Sequence, residues 1–265
     1  MTHSPADSQL PGIDEPDLDL SIIAPAHNEQ DNIDGLVADV RDAFGQADLT
    51  FELIVVDDGS TDATAQRLIA QLAQHDWLRA VTMLDTPPDR GHGQSAAFCA
   101  GIGAARGELI ALMDADRQND PADLLRMIER LRTEQADMVQ GDRSGDRRDT
   151  MVRRVSSWVG RTFRRCLLGD TIRDTGCSLR VMKRAIALQL PLQYAGMHRF
   201  IPVYARMLGA TVIEMPVAHR PRVAGRAKYG VANRALVGLR DLFAARWMRR
   251  RLRPTRCKPM EPDGS

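Results

Sequence analysis

Aromatic residues make up only 5% of the 265 positions, and cysteine occurs four times, at 99, 166, 177 and 257, with no CxxC pair. The first scarcity leaves the core to aliphatic side chains. The second argues against a disulfide framework or a zinc site and leaves four free thiols, as in a reducing compartment. No run of about 18 uncharged apolar residues occurs, so no segment reads as a membrane span. The polar, acidic first stretch lacks the apolar centre of a secretory signal. A P-loop GK[ST], a GxGxxG and an HExxH are also missing, and histidines 27, 92, 198 and 219, which fall in no catalytic pattern, are expected in loops or solvent.

What is present is a folding composition, 43% hydrophobic and 27% charged, enough for one large domain or two small ones around a substantial core. The formal charge of +1 conceals a division. Residues 1–142 carry 9 Lys/Arg against 27 Asp/Glu and residues 143–265 carry 27 against 8, so the two parts stand at −18 and +19. So basic a second half implies an anionic partner, whether nucleic acid, lipid phosphate or a membrane surface.

Residues 1–18, proline-bearing and acidic, read as a flexible leader. From Leu20, short apolar runs alternate with helical patterns: LSIIAP before 32–44, FELIVVDD before 61–74, RAVTML before 94–105, ELIALMD before 122–132, and then ADMVQGD. This succession predicts an α/β fold with a mostly parallel sheet and helices on both faces. Ser60 is expected to cap the helix it opens, and Asp120, ahead of Pro121, to cap another. After Arg143 the pattern predicts longer helices, one strand at 211–217, a Gly/Arg loop at 220–230, a basic helix at 231–252 and a disordered tail at 253–265.

Open α/β sheets bind ligands beyond the carboxyl ends of their strands, and those ends here carry PAHNE, DDGS, DAD and GDR. Asp114 and Asp116 leave a buried strand and need positive charge against them. A divalent cation bridging two nucleotide phosphates supplies it, and Gln118 offers a further, neutral oxygen. Each acid pair taken singly also fits a turn or helix cap. Asp57 and Asp58 suit a base or ribose hydroxyls, and Glu29 reaches the same crevice. The small residues of GHGQSAAFCAGIGAARGE favour tight helix packing.

Projected at about 100° per residue, Met151–Leu168 puts Arg161 and Arg165 within roughly 20° of Arg154, with Arg153 and Arg164 on the same side and a separate apolar arc holding Trp158 and Phe163. That pattern suits a helix lying in a membrane interface. The last helix repeats it, with Leu236, Leu239, Leu242, Phe243 and Trp247 open to one surface.

Taken in order, PAHNE, VVDDGSTDAT, GHGQSAAFCAGIGAARGE, MDADRQNDP, GDRS, DTGCSLRVMKR and RVAGRAKYG resemble family 2 of the inverting glycosyltransferases, and most closely its dolichyl-phosphate mannose synthase group. The resemblance implies a GT-A domain over 19–230, with the interface helix at 151–168 inside it. It implies nucleotide contacts from Pro25, Glu29, Val56, Asp58 and Ala115, and metal ligands at Asp114, Asp116 and Gln118 for Mg²⁺ or Mn²⁺. Arg143, Arg222 and Lys228 resemble the ligands of the donor pyrophosphate and the acceptor phosphate. Arg143, Arg153 and Ser157 correspond to acceptor-phosphate contacts. Asp114, Asp116, Arg222 and Lys228 would carry the chemistry. His27 and Arg117 depart from the family's aromatic and leucine, and Arg117 is expected to point outward.

The implied reaction moves a hexose of the mannose or glucose class from a nucleoside diphosphate to a polyprenyl monophosphate, at the inner face of the cytoplasmic membrane, with no transmembrane anchor. The acceptor phosphate is already anionic near neutral pH, its second pKa being about 6, so no general base is needed. Two other readings stay open: a soluble glycosyltransferase acting on a saccharide hydroxyl, and a nucleic-acid-binding module using the basic half. The second leaves the acids at the strand ends unexplained, so no nucleic acid is expected.

Overall fold

The computed structural model describes residues 16–87, 90–144, 162–220 and 231–253, the last by backbone alone up to residue 239. The strands are β1 (Leu18–Ala26), β2 (Phe51–Asp57), β3 (Leu78–Thr82), β4 (Gly107–Leu112), β5 (Met138–Asp142), β6 (Arg180–Lys183) and β7 (Val212–Pro216). They form one sheet in the order β3-β2-β1-β4-β6-β5-β7. All neighbours pair in parallel except β6, which runs antiparallel between β4 and β5.

The helices are α1 (Ile33–Phe44), α2 (Thr64–Leu72), α3 (Gln94–Ala104), α4 (Ala122–Thr133), α5 (162–168), α6 (Arg184–Ala187), α7 (Ile201–Met207) and α8 (Val231–Arg251). Alternate strand residues face opposite layers, which is why the strands read as unbroken apolar runs. Leu20, Ile22, Leu53, Val55 and Ala111 pack under α1, α2 and α4. Ile23, Ile54, Val56, Ile110 and Leu112 pack under α3 and, farther along, α6, α7 and α8. Helix α3 sits close on β1 at Gly101, where a Cβ would meet Ile23, so the small-residue stretch does serve packing.

Several expectations are corrected. The fold is entered at Leu18, inside the expected leader; the remainder of that leader up to residue 15 lies outside the described residues, as does the tail from 254. Strand β6 was not foreseen, and α6 and α7 are short rather than long. Ser60 does not cap α2: its hydroxyl accepts the Asn28 N–H at 2.9 Å, while Gln30 and Asp62 accept N–H bonds from Ala63 and Thr64 at the helix start. Asp120 performs as expected, accepting the Ala122 N–H at 3.0 Å.

The described parts of the two basic helices match the projection only in part, Phe163 being 51% exposed as projected. Residues 151–161, with Arg153, Arg154 and Ser157, lie outside the described residues. Arg164 turns inward, its Nε 2.6 Å from Asp170, because a buried carboxylate outcompetes solvent for it. On α8, Leu242 is buried beside Ala245 rather than open, while Arg246 and Arg249 donate to the carbonyls of Leu167 and Leu168 that end α5. What α8 leaves outside is Phe243 and Trp247, one turn apart and 55% and 62% exposed, with Arg251 over the Trp247 ring at 5.7 Å. Among the described residues no helix is long and apolar enough to cross a membrane.

Candidate active site

The strand order reverses between β1 and β4, the place at whose carboxyl end such sheets take ligands in a crevice. β6, being antiparallel, brings its beginning to the same edge. The crevice therefore meets residues 25–29 after β1, 114–120 after β4, Arg143 after β5 and 174–180 ahead of β6.

Asp114 is held from two sides. The Gln94 amide donates to one oxygen at 2.6 Å and the Ser178 hydroxyl to the other at 2.6 Å, while Asn119 donates to Ser178 at 2.9 Å. Burial pushes the Asp114 carboxyl up and Asp116 pushes the same way; the Ser178 hydroxyl, Arg143 and Arg180 pull it back. Arg180, paired in register with Leu112 and Gln140, is the buried cation of the site. Its guanidinium donates to the carbonyls of Cys177, Ser178 and His198, and burial pulls it down to about 10, still charged at neutral pH.

Asp116 is buried at 7% exposure and accepts the Gln118 N–H at 3.2 Å. The Gln118 amide lies 3.4 Å from the His219 ring. These are hard oxygen donors, suited to Mg²⁺ or Mn²⁺, and the mutual repulsion of Asp114 and Asp116 favours a cation there. No group of three or more His, Cys, Asp or Glu among the described residues could hold an ion alone. Such a donor set fits an ion completed by substrate phosphates and water.

The other anticipated residues fall as follows. Pro25 and Glu29 line the end of β1, and Glu29 accepts the Asn32 amide at 2.6 Å. Val56 and Ala115 are buried, Val56 under α3. Asp58 is committed elsewhere: its two oxygens accept the His92 and Gly93 N–H groups at 2.8 and 2.7 Å, tying down the start of α3. Gly91 and Gly93 make this wrap possible, with φ of +64° and +93°. Arg143 pairs with Asp174 through two nitrogens at 2.9 and 3.3 Å. Arg222 and Lys228 lie outside the described residues. Gln94, Ser178, Asp174 and Arg180 were missed, although each sits inside a quoted motif; only strand insertion reveals what they meet.

The glycosyl transferase family 2 model matches residues 21–190. The chain belongs to this family. The dodecaprenyl-phosphate galacturonate synthase of Rhizobium johnstonii is 35% identical over 239 residues, covering 89% of this chain and 69% of the relative. An undecaprenyl-phosphate 4-deoxy-4-formamido-L-arabinose transferase of Edwardsiella ictaluri is 32% identical over 212 residues, 80% of this chain but only 63% of that protein's length. The glucosyl-3-phosphoglycerate synthase from Mycobacterium tuberculosis, in complex with uridine diphosphate, superimposes with a TM-score of 0.59 at 21% identity, covering 90% of this chain and 82% of the other. The same synthase with Mn²⁺, UDP-glucose and phosphoglyceric acid gives 0.61 at 23%, with the same coverage. The fold is thus the GT-A arrangement.

In this family 2 chain one histidine departs from the loop-or-solvent expectation. His198 sits in the turn Met197–Phe200, where its N–H donates to the Ser95 hydroxyl at 3.0 Å and its Nδ1 pairs with the same hydroxyl at 2.8 Å. Burial, then Arg199 and Arg180, pull its imidazole from the ordinary 6.5 down to about 3. Below the ordinary value the unfolded chain takes up a proton that the folded chain refuses. Stability from this group is therefore complete above about pH 6.5 and falls progressively towards pH 3. His198→Asn is expected to lose less melting temperature than wild type between about pH 7 and pH 5. Parallel losses in thermal melts would contradict this.

Proposed function

We propose that the chain transfers a sugar from a nucleoside diphosphate to a polyprenyl monophosphate, with inversion, at an anionic membrane surface on the cytoplasmic side. The observation that carries the reading is the acid pair at the switch-point crevice, Asp114 braced by Gln94 and Ser178 with Asp116 beside it. Support comes also from the relatives named as acting on dodecaprenyl and undecaprenyl phosphate, and from a structural neighbour of the same fold holding Mn²⁺ with UDP-glucose.

Asp116 and Gln118, with Asp114 adjoining, would hold Mg²⁺ or Mn²⁺. When bound, the ion supplies positive charge against the diphosphate as it leaves. Pro25 and Glu29 would border the nucleotide, together with the main chain at Val56 and Asp58 and the buried Ala115. Asp58 would act mainly by setting the loop at His92. Arg143, oriented by Asp174, would meet phosphate, and Arg222 and Lys228, outside the described residues, are proposed to do the same. Cations set against the diphosphate would stabilise charge where it gathers in the transition state. The acceptor oxygen attacks the anomeric carbon in line as the bond to the diphosphate breaks, and carries no proton to remove.

The test uses purified chain, Mn²⁺, a polyprenyl phosphate and labelled donors: GDP-mannose, UDP-glucose, and UDP-linked galacturonate and 4-formamido-arabinose. Label is expected in the organic phase for at least one donor. Label found only in aqueous saccharide would establish the hydroxyl-directed alternative instead.

Attachment is assigned to the outer stripe of α8. Phe243 and Trp247 would enter the acyl boundary while Arg250, Arg251 and Arg253 meet lipid phosphates. Replacing Phe243 and Trp247 by Ser is expected to reduce co-sedimentation with phosphatidylglycerol vesicles about tenfold or more, each buried aromatic contributing on the order of 1.5–3 kcal/mol. Unchanged co-sedimentation would dismiss this surface.

A further inference from the structure

We infer that Arg117, Asp39 and Arg220 form a positioning unit, in which one carboxylate on α1 sets the ion-holding loop 114–120 and the strip 218–220 in a common register. The inference rests on the donor-site reading above. Arg117 stands between Asp116 and Gln118 and adopts φ +61°, a left-handed conformation that a long side chain keeps only when something holds it. That turn is what directs the Gln118 N–H to Asp116 Oδ1.

The holding group is Asp39. Far from pointing outward, the Arg117 guanidinium crosses α1 and donates to both Asp39 oxygens, Nε at 2.8 Å and Nη2 at 3.0 Å. Its seat is Gly35, one helical turn before Asp39, where any Cβ would overlap the guanidinium. Helix α1 thus presents a bare position and a carboxylate in the spacing that a planar, forked cation requires. A leucine at 117 would fill neither.

The same carboxylate reaches the other loop. Arg220 Nη1 lies 3.6 Å from Asp39, and its Nη2 donates to Asp120 at 2.6 Å. Its main-chain N–H donates to the Gln118 carbonyl at 2.9 Å, and Asn119 and His219 form a β-bridge. The strip 218–220 is therefore laid along 118–120 immediately before the segment that carries Arg222 and Lys228. Two arginines and two aspartates balance in charge, so the unit is complete without an ion.

A purely structural role and a positioning role differ in what they predict. The Arg117 and Asp39 side chains are 25% and 19% exposed and joined bidentately, and Arg220 is 41% exposed, so breaking the pair also costs some stability, which thermal melts register separately from ion binding. Supports behind a metal ligand, in contrast, change metal affinity about 10–100-fold when removed. The test measures Mn²⁺ binding by electron paramagnetic resonance in the presence of UDP or GDP, with thermal melts alongside, on full-length wild type, Arg117→Leu, Asp39→Asn and Arg117→Lys. Wild type is expected to bind. At temperatures well below their melting midpoints the Leu and Asn variants are expected to bind about tenfold or more weakly, and the Lys variant to recover part of the loss. Wild-type affinity in Arg117→Leu and Asp39→Asn, or losses that merely track unfolding, would overturn the inference. Absence of Mn²⁺ and nucleotide binding in wild type would instead overturn the donor-site reading and this inference with it.

Discussion

Asp116→Ala is expected to lower sugar transfer by about 10³-fold or more while leaving the melting temperature near that of wild type. Asp116 and Asp114 differ in kind although they stand two residues apart. Both Asp114 oxygens are engaged by short bonds from internal donors, whereas the bond that Asp116 accepts from the Gln118 N–H, closing its own turn, is longer at 3.2 Å. Removing Asp116 takes away the carboxylate best placed for an ion and relieves the repulsion on Asp114, so the fold loses little. Asp114→Asn is expected to do the converse in part. The new amide would face donors at Gln94 and Ser178, costing stability on the order of 1–3 kcal/mol as well as activity. Near-normal transfer by Asp116→Ala, measured with saturating Mn²⁺, would remove it from the site.

Arg180→Leu is expected to be among the most damaging single changes to stability, at about 3–5 kcal/mol, or a fall of the order of 10 °C in melting temperature. Three carbonyls, of Cys177, Ser178 and His198, would lose their shared donor, and Asp114 would lose one of the two cations, Arg143 and Arg180, that act on it. Adding Asp114→Asn in that background is expected to recover part of the loss, because the two charges act on one another. A melt of the Leu variant within about 2 °C of wild type would show that Arg180 is only a filler.

Strands β1, β2 and β4 were legible because each carries an apolar run ending in turn chemistry, which burial in a two-faced sheet requires, while β3, an edge strand with only Leu78 buried, and the short β5 followed from their place in the alternation. β6 was not legible. It has four residues with Arg180 and Lys183 at its ends, and its burial comes from long-range partners, β4 and β5 beside it and the helices packed on its two faces. The residues it delivers, Ser178 and Arg180, went unassigned for the same reason. Asp58 shows another limit. A carboxylate at a strand end reads as a ligand for a nucleotide, and nothing local announces that the N–H groups of His92 and Gly93 also reach it from 34 and 35 residues later. Leu242 and Phe243 are adjacent apolar residues on one helix, and only docking against the body decides that the first is core and the second is surface.

From the sequence alone came the alternation of strands and helices, the acids gathered at strand ends, the divided charge and the family, since periodicity and ordered motifs are properties of neighbouring residues. The tertiary structure decided which acid is braced, which arginine is buried and which loops share a carboxylate. Hydrogen-bond and ion-pair partners are chosen by strand register and helix docking. Gln94 and Ser178 meet Asp114 across 20 and 64 residues of chain, a distance over which no local pattern carries information.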